Sequence, residues 1–212
     1  RAFVNLIPEP GNWDYTYHHA HKNGWMFGIP LTNRQGWGYL FNDKMTSEQE
    51  AINEINEIFK SNKKKEDLRD FNFKPYRSKT FLNNRVIKNG NRAIFYEPLE
   101  ALSGVFYDHI NRWFFDYIND EMDHETLNIL LDERARQYEN FIAWIYNQGS
   151  IYDTKFWRYA NDITTAHLKN NLIWENTKRH LKKNPYRDNL YKTWPFVKTS
   201  WDILLKGFNA SI

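Results

Sequence analysis

The hydrophobic pattern of this 212-residue chain changes its period near residue 105, and this change constrains the fold more than any other feature. Before that point the apolar residues come in short alternating runs, which is typical of strands. After it they recur at three- and four-residue steps, the pattern of helices with one buried face. We therefore predict a mixed α+β or α/β fold, in which a β-rich part with one helix precedes an all-helical part.

Two apolar runs, residues 25–31 and 37–41, predict a β-hairpin. The five residues between them, 32–36, end in Gly36 and suit a hairpin loop. Pro30 has no N–H to give to a neighbouring strand, so we expect its strand to lie at a sheet edge or to bend there.

The first helix is expected to begin after Ser47, which forms a capping box with Glu50. Three lysines at 63–65 should end this helix as a solvated loop rather than form a nucleic-acid patch. Further helices are predicted over 105–117 and 123–146 and from about residue 154, with another stretch ending at Pro185 and a short helix over 197–205 that stops at Gly207.

Composition excludes several classes of protein. A 41% hydrophobic and 17% aromatic content is incompatible with a disordered chain, and a net charge of +3 gives no reason to expect nucleic acid as a partner. Without cysteine there can be no disulfide framework, thiolate nucleophile or cysteine zinc site. No apolar run approaches the ~20 residues of a membrane span. We expect a soluble, cytoplasmic protein with no membrane partner.

Few residues form a recognisable chemical motif. His18, His19 and His21 resemble metal ligands, but in a strand only His19 and His21 share a face, so we expect ordinary strand histidines and no metal. The chain has no glycine-rich phosphate loop and no spacing that indicates a hydrolase triad. A complete nucleotide-binding half is therefore not expected within these residues.

The segment 90–104 carries the most specific pattern. An apolar run leads into a turn at Pro98, and two carboxylates, Glu97 and Glu100, lie three residues apart just before a long helix. The N–H groups that open a helix have no intrahelical partners, so a small anion would be favoured there. The alternative is that Glu97 or Glu100 merely complements the helix dipole, worth ~0.3–1 kcal/mol, and the residues alone favour it.

Several segments, in the same order along the chain, resemble the flavin-dependent tryptophan-halogenase family. Residues 97–101, Glu-Pro-Leu-Glu-Ala, resemble its E-P-L-E-[SA] signature, and residues 24–31 resemble its G-W-x-W-x-I-P-L motif. Residues 34–39, 76–78 and 153–158 are similar to further family segments, the last to D-[TS]-P-F-W-R, and Ser200-Trp201 with Gly207 is a weaker match. The resemblance extends from about residue 15 to residue 207.

The resemblance implies a division into two domains. Residues 1–104 would be the C-terminal part of an FAD-binding, flavin monooxygenase-like body, with a mixed sheet plus a helix, and residues 105–212 an all-helical substrate-binding cap. Family members carry a G-x-G-x-x-G fingerprint and a catalytic lysine in sequence that would precede Arg1. We therefore expect this chain to be the C-terminal segment of a longer protein.

The activity implied is that of a flavin-dependent halogenase. FAD, reduced by a separate flavin reductase, would use oxygen and a halide such as chloride or bromide to form hypohalous acid, which halogenates an electron-rich aromatic substrate. The alternatives are a flavin-dependent monooxygenase or hydroxylase, or a non-catalytic binding module if no FAD-binding half precedes it. A homo-oligomer is compatible with the sequence, which does not determine the oligomeric state.

The resemblance also assigns roles to residues. Glu100 would be catalytic, positioning the electrophile and accepting the proton that the substrate loses. Backbone N–H groups of Leu102 and Ser103 would bind the halide. The residues expected to contact FAD are Gly90, Asn91, Pro98, Leu102 and Ser103. The expected tunnel motif between flavin and substrate comprises Trp25, Phe27, Ile29 and Pro30.

Three positions depart from the family pattern. Phe27 replaces the second Trp of the tunnel motif, Leu102 replaces a usual Thr near the halide, and Lys155 replaces a Pro. These changes indicate a divergent branch, so free tryptophan is not assumed as the substrate. For Trp25 and Phe27 a plain aromatic core remains the alternative.

Overall fold

The computed structural model describes residues 1–183 and 198–210, which fold into two compact units. The first, here called the sheet unit, contains residues 1–74 and 149–162; the second, the helical unit, contains residues 75–148 and those described from 163 onward. The mixture of helix and sheet agrees with the predicted class. The units divide the chain differently from the expected 1–104 and 105–212, whose functional assignment stays a prediction.

The sheet unit is built on a five-stranded antiparallel sheet. Its strands are β1 (Ala2–Ile7), β2 (Tyr17–His21), β3 (Gly24–Leu31), β4 (Arg34–Phe41) and β5 (Arg69–Phe71). Their spatial order is β2-β3-β4-β1-β5, so β3 and β4 are both internal.

The hairpin between β3 and β4 has a shorter loop than predicted. Pairing continues to Leu31 opposite Arg34, so only Thr32 and Asn33 form the turn, and the expected five-residue loop is wrong. Gly36 is a strand residue paired with Ile29 rather than the end of the loop. Pro30 lies on β3, an internal strand of the sheet. However, β2 pairs only with residues 24–28 of β3, so Pro30 has no β2 residue beside it. Its missing N–H is therefore tolerated, as on an edge strand.

The helix α1 (Glu48–Phe59) begins where predicted, and both halves of its capping box are present. The Glu50 N–H donates to Ser47 Oγ over 3.2 Å, and the Ser47 N–H donates to Glu50 Oε2 over 2.7 Å. One face of the helix, with Ala51 and Ile55, packs in the cluster of Phe3, Met26, Tyr39 and Phe41. The helix ends at Lys60 in a left-handed conformation, before the lysine run that was expected to end it.

The helical unit consists of long helices and short strand pairs. Its helices are α2 (Leu102–Ile118), α3 (His124–Gln148), the part of α4 (Lys155–Leu168) after residue 162, α5 (Leu172–Lys183) and α6 (Lys198–Phe208). Its strands pair as β6 (Tyr76–Arg77) with β9 (Ile94–Phe95), and β7 (Leu82–Asn83) with β8 (Val86–Ile87).

The predicted helices over 105–117 and 123–146 and from residue 154 are all present. The α6 helix runs through Gly207, so the expected stop there is wrong, whereas the ending predicted at Pro185 lies outside the described residues. No helix in residues 1–183 or 198–210 is long and apolar enough to cross a membrane.

Aromatic side chains fill the core of the helical unit. The Phe106 ring of α2 lies 5.6 Å from that of Phe81 and 5.8 Å from that of Tyr138 on α3. Such tilted and edge-on pairs add about 0.5–1.5 kcal/mol each beyond the burial of area. The E-P-L-E segment therefore leads into a helix, α2, that is packed against α3.

Candidate functional site

The E-P-L-E segment forms a tight turn between β9 and α2. The Leu99 N–H donates to the Glu97 carbonyl over 2.8 Å, which folds the chain around Pro98. A 3-10 turn, Leu99–Ala101, then leads straight into α2. Leu99 and Leu102 are buried, whereas Glu100 is exposed. The turn thus buries a leucine on each side of an accessible carboxylate.

Two successive residues of this turn have left-handed backbones without being glycine. Glu100 has φ 56° and ψ 22°, and Ala101 has φ 51° and ψ 27°. A left-handed conformation costs roughly 1–2 kcal/mol for a residue with a Cβ. Such strain persists only where the surroundings fix it, and it is often found at functional sites.

The start of α2 has backbone donors available for an anion. Its N-cap residue is Ala101, and within the described part of the chain no side chain caps it. The first N–H groups of a helix have no intrahelical acceptor, and the helix dipole adds partial positive charge there. The structure therefore places Glu100 beside the N–H groups of Leu102 and Ser103, and this donor set suits a small anion.

Glu97 does not cap α2. Its Oε2 accepts a hydrogen bond from the Tyr146 hydroxyl of α3 over 2.8 Å. Burial raises the pKa of Glu97 from its ordinary value of 4.5 to about 7, and the bond from Tyr146 opposes this rise. The two carboxylates of the motif therefore lie in different environments, since Glu97 is half-buried and bonded and Glu100 is exposed.

Replacing Glu97 by Gln should change the pH dependence of stability. Because the folded pKa lies above the unfolded one, folding binds a proton between them, and the wild-type protein loses stability as pH rises from about 4.5 to about 7. Glu97→Gln has no such loss, so its free energy of unfolding relative to wild type should increase by roughly 1–3 kcal/mol between about pH 4 and about pH 8. Urea denaturation at both pH values measures this, and a constant difference would contradict it.

The residue before Glu97 is also tied to α3. The Tyr96 hydroxyl donates to Glu139 Oε1 over 3.0 Å and lies 3.2 Å from the Ala135 carbonyl oxygen. Arg77 of β6 donates to the same Glu139 oxygen over 2.9 Å and pairs with Asp132. Burial and the Glu139 charge raise the pKa of Tyr96, so its hydroxyl stays a donor.

The expected flavin-contact residues Gly90 and Asn91 lie in a 3-10 turn, Gly90–Arg92, in the same unit. Gly90 has φ +58°, and no heavy atom of the described residues beyond its chain neighbours lies within 4 Å of where a Cβ would stand. Asn91 Oδ1 accepts the Tyr107 hydroxyl of α2 over 2.7 Å, which leaves its amide nitrogen as the donor for a ligand. An open glycine turn and amide donors near α2 fit a polar, anionic cofactor such as FAD.

The tunnel-motif residues lie on β3 in the sheet unit. Trp25, Phe27 and Ile29 share the face opposite α1, whereas strand alternation puts Pro30 on the face of Met26. Trp25 is buried, with its ring 5.7 Å from His18 and 6.2 Å from Phe27, and Ile29 is 39% exposed. This arrangement forms an apolar stripe that becomes more exposed towards the β3–β4 turn.

The Phe27 ring packs against Gly38 of β4, in the space that a side chain at Gly38 would occupy. A Cβ at Gly38 would stand 2.2 Å from that ring, so Gly38→Ala must displace Phe27. We expect a loss of stability of about 1–3 kcal/mol, typical of overpacking, measured by urea denaturation. The matched control is Gly36→Ala on the same strand, where no described atom beyond the chain neighbours lies within 4 Å. Equal effects of the two substitutions would contradict this packing.

The histidines are strand residues. The His19 and His21 rings lie 4.7 Å apart on one face of β2, and burial together with the neighbouring His19 lowers the pKa of His21. Among the described residues, no three or more acidic or histidine side chains are grouped so that they could hold a metal ion.

A comparison of the whole sequence with protein families decides what this chain is. The family described as tryptophan halogenase matches residues 2–210. The chain belongs to the tryptophan halogenase family. The resemblance predicted from the E-P-L-E and G-W-x-W-x-I-P-L motifs is thereby confirmed.

Curated relatives are similar to this chain over most of its length. It is 26% identical over 177 residues to tryptophan 7-halogenase KtzQ of Kutzneria sp. (strain 744), covering 78% of this chain and 33% of the relative. It is 25% identical over 155 residues to tryptophan 7-halogenase RebH of Lentzea aerocolonigenes, covering 69% and 28%. The chain therefore spans about a third of the length of these relatives.

Solved halogenase structures share the fold of the chain. MibH, a tryptophan 5-halogenase, matches 99% of this chain and 42% of its own with a TM-score of 0.76 at 19% identity. BrvH, a flavin-dependent halogenase from Brevundimonas sp. BAL3, matches 98% and 42% with a TM-score of 0.73 at 21% identity. The mixed helix and sheet architecture is thus that of halogenase structures.

Sequence reasoning missed some contacts of this chain. In the sheet unit, the segment similar to D-[TS]-P-F-W-R binds the β2–β3 turn: Thr154 Oγ1 donates to the Lys22 carbonyl over 2.6 Å, and Trp157 Nε1 to the His21 carbonyl over 2.7 Å. The motif in the sequence indicated that this segment matters, but it did not reveal that the segment binds the β2–β3 turn. Nothing in the sequence pointed to the Glu97–Tyr146 bond across 49 positions.

Proposed function

We propose that this chain forms the halide-binding and proton-accepting part of an FAD-dependent halogenase that acts on an electron-rich aromatic compound. One observation carries the proposal: the E-P-L-E turn holds an exposed Glu100 next to the uncapped start of α2. Membership of the tryptophan halogenase family supports it. The N–H donors can bind one anion, and the carboxylate beside them can accept one departing proton. Electrophilic halogenation requires both.

Bound and reduced FAD would supply the electrons that reduce one atom of O2 to water, while the other oxygen atom oxidises the halide to hypohalous acid. The residues proposed to hold FAD are Gly90, Asn91, Pro98, Leu102 and Ser103. Asn91 would donate through its amide nitrogen, since Tyr107 already occupies its oxygen. Gly90 would let the ligand approach the backbone closely, because the space beside its Cα is open.

The halide would bind to the backbone N–H groups of Leu102 and Ser103. Leu102 has no hydroxyl to contribute and its side chain is buried, so its donor must be the main-chain N–H. Glu100 would position the electrophile and accept the proton that leaves the ring carbon when the carbon–halogen bond replaces the carbon–hydrogen bond.

The substrate would be an aromatic compound similar to tryptophan. The relatives KtzQ and RebH are named for halogenation of tryptophan at position 7. The apolar stripe of Trp25, Phe27 and Ile29 would line the path to the substrate, and the smaller Phe27 ring would alter its shape. We further propose that residues 1–104 belong to the FAD-binding body and that residues 105–212 cap the substrate. The protein would be cytoplasmic, and a separate flavin reductase would supply reduced FAD.

Product analysis tests this function. The complete protein is supplied with FAD, a flavin reductase, NADH, oxygen and a panel of indoles and phenols, with and without chloride or bromide. We expect halide-dependent products with the mass and isotope pattern of the halogen. Oxygenated products that form equally without halide would instead identify a monooxygenase and overturn the proposal.

A further inference from the structure

The chain that leads into the E-P-L-E turn is anchored to α3 by two neighbouring side chains. Tyr96 bonds to Glu139, and Glu97 accepts the hydroxyl of Tyr146. Glu139 and Tyr146 are seven positions apart, two turns along one face of α3, or about 10 Å along its axis. Two such anchors on neighbouring residues fix both the position and the direction in which the chain enters the turn.

Glu97 transmits this anchoring directly to the turn. Its carboxylate is held by Tyr146 at 2.8 Å, while its own carbonyl accepts the Leu99 N–H at 2.8 Å. The side chain and the main chain of one residue therefore connect α3 to the bond that closes the turn. The left-handed Glu100 and Ala101 follow immediately and need such constraint to persist.

We propose that Glu97 and Tyr146 form a positioning pair whose hydrogen bond fixes the turn at residues 98–101 and so orients Glu100 and the first N–H groups of α2. The pair touches neither substrate nor halide and acts through the backbone. The inference rests on the proposed function, which makes Glu100 and those N–H groups the reacting and halide-binding elements.

Three variants test the pair in the complete protein. Tyr146→Phe removes the hydroxyl and keeps the ring, Glu97→Leu removes the acceptor, and Glu97→Gln keeps an acceptor oxygen without the charge. The matched control is Tyr117→Phe, which removes a hydroxyl near the far end of α2. Hydrogen exchange of the amides of residues 99–104 reports on the turn, and kcat and KM for halogenation report on its consequence.

Tyr146→Phe and Glu97→Leu should speed amide exchange at residues 99–104 by about tenfold or more, since local opening is then no longer opposed by the bond. Both should lower kcat about tenfold, because small misplacements of a reacting group are costly, while the KM of the aromatic substrate stays within about twofold. Glu97→Gln and Tyr117→Phe should stay within about twofold of wild type in all three quantities.

Unchanged exchange in both Tyr146→Phe and Glu97→Leu would overturn the inference, as would Glu97→Gln behaving like Glu97→Leu. The exchange measurement needs neither FAD nor halide, so it separates the two proposals. If the wild-type protein halogenates nothing while Tyr146→Phe still opens the turn, the proposed function fails and the positioning of the turn stands. If halogenation occurs and the variants leave exchange and kcat unchanged, the positioning pair alone fails.

Discussion

Replacing Glu100 by Gln should lower the kcat of halogenation by about 100-fold or more, while the dissociation constant of FAD stays within about twofold of wild type. The amide keeps the size of the side chain but cannot accept a proton, and general acid–base groups contribute typically 10²–10⁴-fold to rate. Because Glu100 is exposed and lies outside the cores of the unit, the substitution should leave the fold intact. Steady-state kinetics and flavin fluorescence titration measure the two quantities.

The matched control for this prediction is Glu133→Gln, which alters an exposed carboxylate on α3 in the same unit. It should change neither kcat nor FAD binding by more than about twofold. Equal kcat values for Glu100→Gln and wild type would remove Glu100 from the mechanism. A parallel loss of FAD binding and activity would assign it to the cofactor site instead.

The largest stability effect is expected from Glu54→Ala in the sheet unit. Glu54 on α1 is only 7% exposed and accepts hydrogen bonds at the β2–β3 turn and from β4. Its donors are Lys22 N (2.6 Å), Asn23 N (3.3 Å), Asn23 Nδ2 (3.0 Å) and the Tyr39 hydroxyl (2.7 Å). The bond from Tyr39 is buried and the bonds at the turn are partly buried. Since a buried group left unsatisfied costs about 1–3 kcal/mol, we expect a total loss of about 3 kcal/mol or more.

Urea denaturation measures this loss, and Glu57→Ala provides the control. Glu57 lies three residues later on α1, its side chain is 74% exposed, and its ion pair with Lys22 spans 4.0 Å, so its removal should cost less than about 0.5 kcal/mol. Similar losses in the two variants would contradict the role of Glu54. The turn that Glu54 holds is also the one that Thr154 and Trp157 bind, so its loss should loosen residues 153–158 as well.

Local signals in the sequence predicted the elements whose ends they determine. Ser47 and Glu50 marked the start of α1 because both halves of a capping box lie within four residues. The hairpin loop was misjudged because Gly36 was taken for a turn residue. It is a strand residue whose missing side chain leaves open space, and the turn is made by Thr32 and Asn33 instead.

The candidate site was predictable as a segment but not as a geometry. The order of Pro98, Glu100 and the following helix indicated a turn with a carboxylate at a helix start. The residues alone favoured a carboxylate that complements the helix dipole, and the family resemblance added the expectation of a halide site. The left-handed backbone of Ala101 could not be expected, since alanine has no local preference for it. The Tyr146 contact depends on tertiary packing across 49 positions, which no periodicity in the sequence records.

In the proposed function, the start of α2, after the E-P-L-E turn, binds the halide of a flavin-dependent halogenase. A crystal of the complete protein with FAD and bromide tests it most directly, because bromide is located by its anomalous scattering. We expect a bromide peak within about 3.5 Å of the backbone nitrogen of Leu102 or Ser103, at ordinary hydrogen-bonding range for a large anion. A well-ordered FAD with bromide peaks elsewhere and none at these two nitrogens would contradict it.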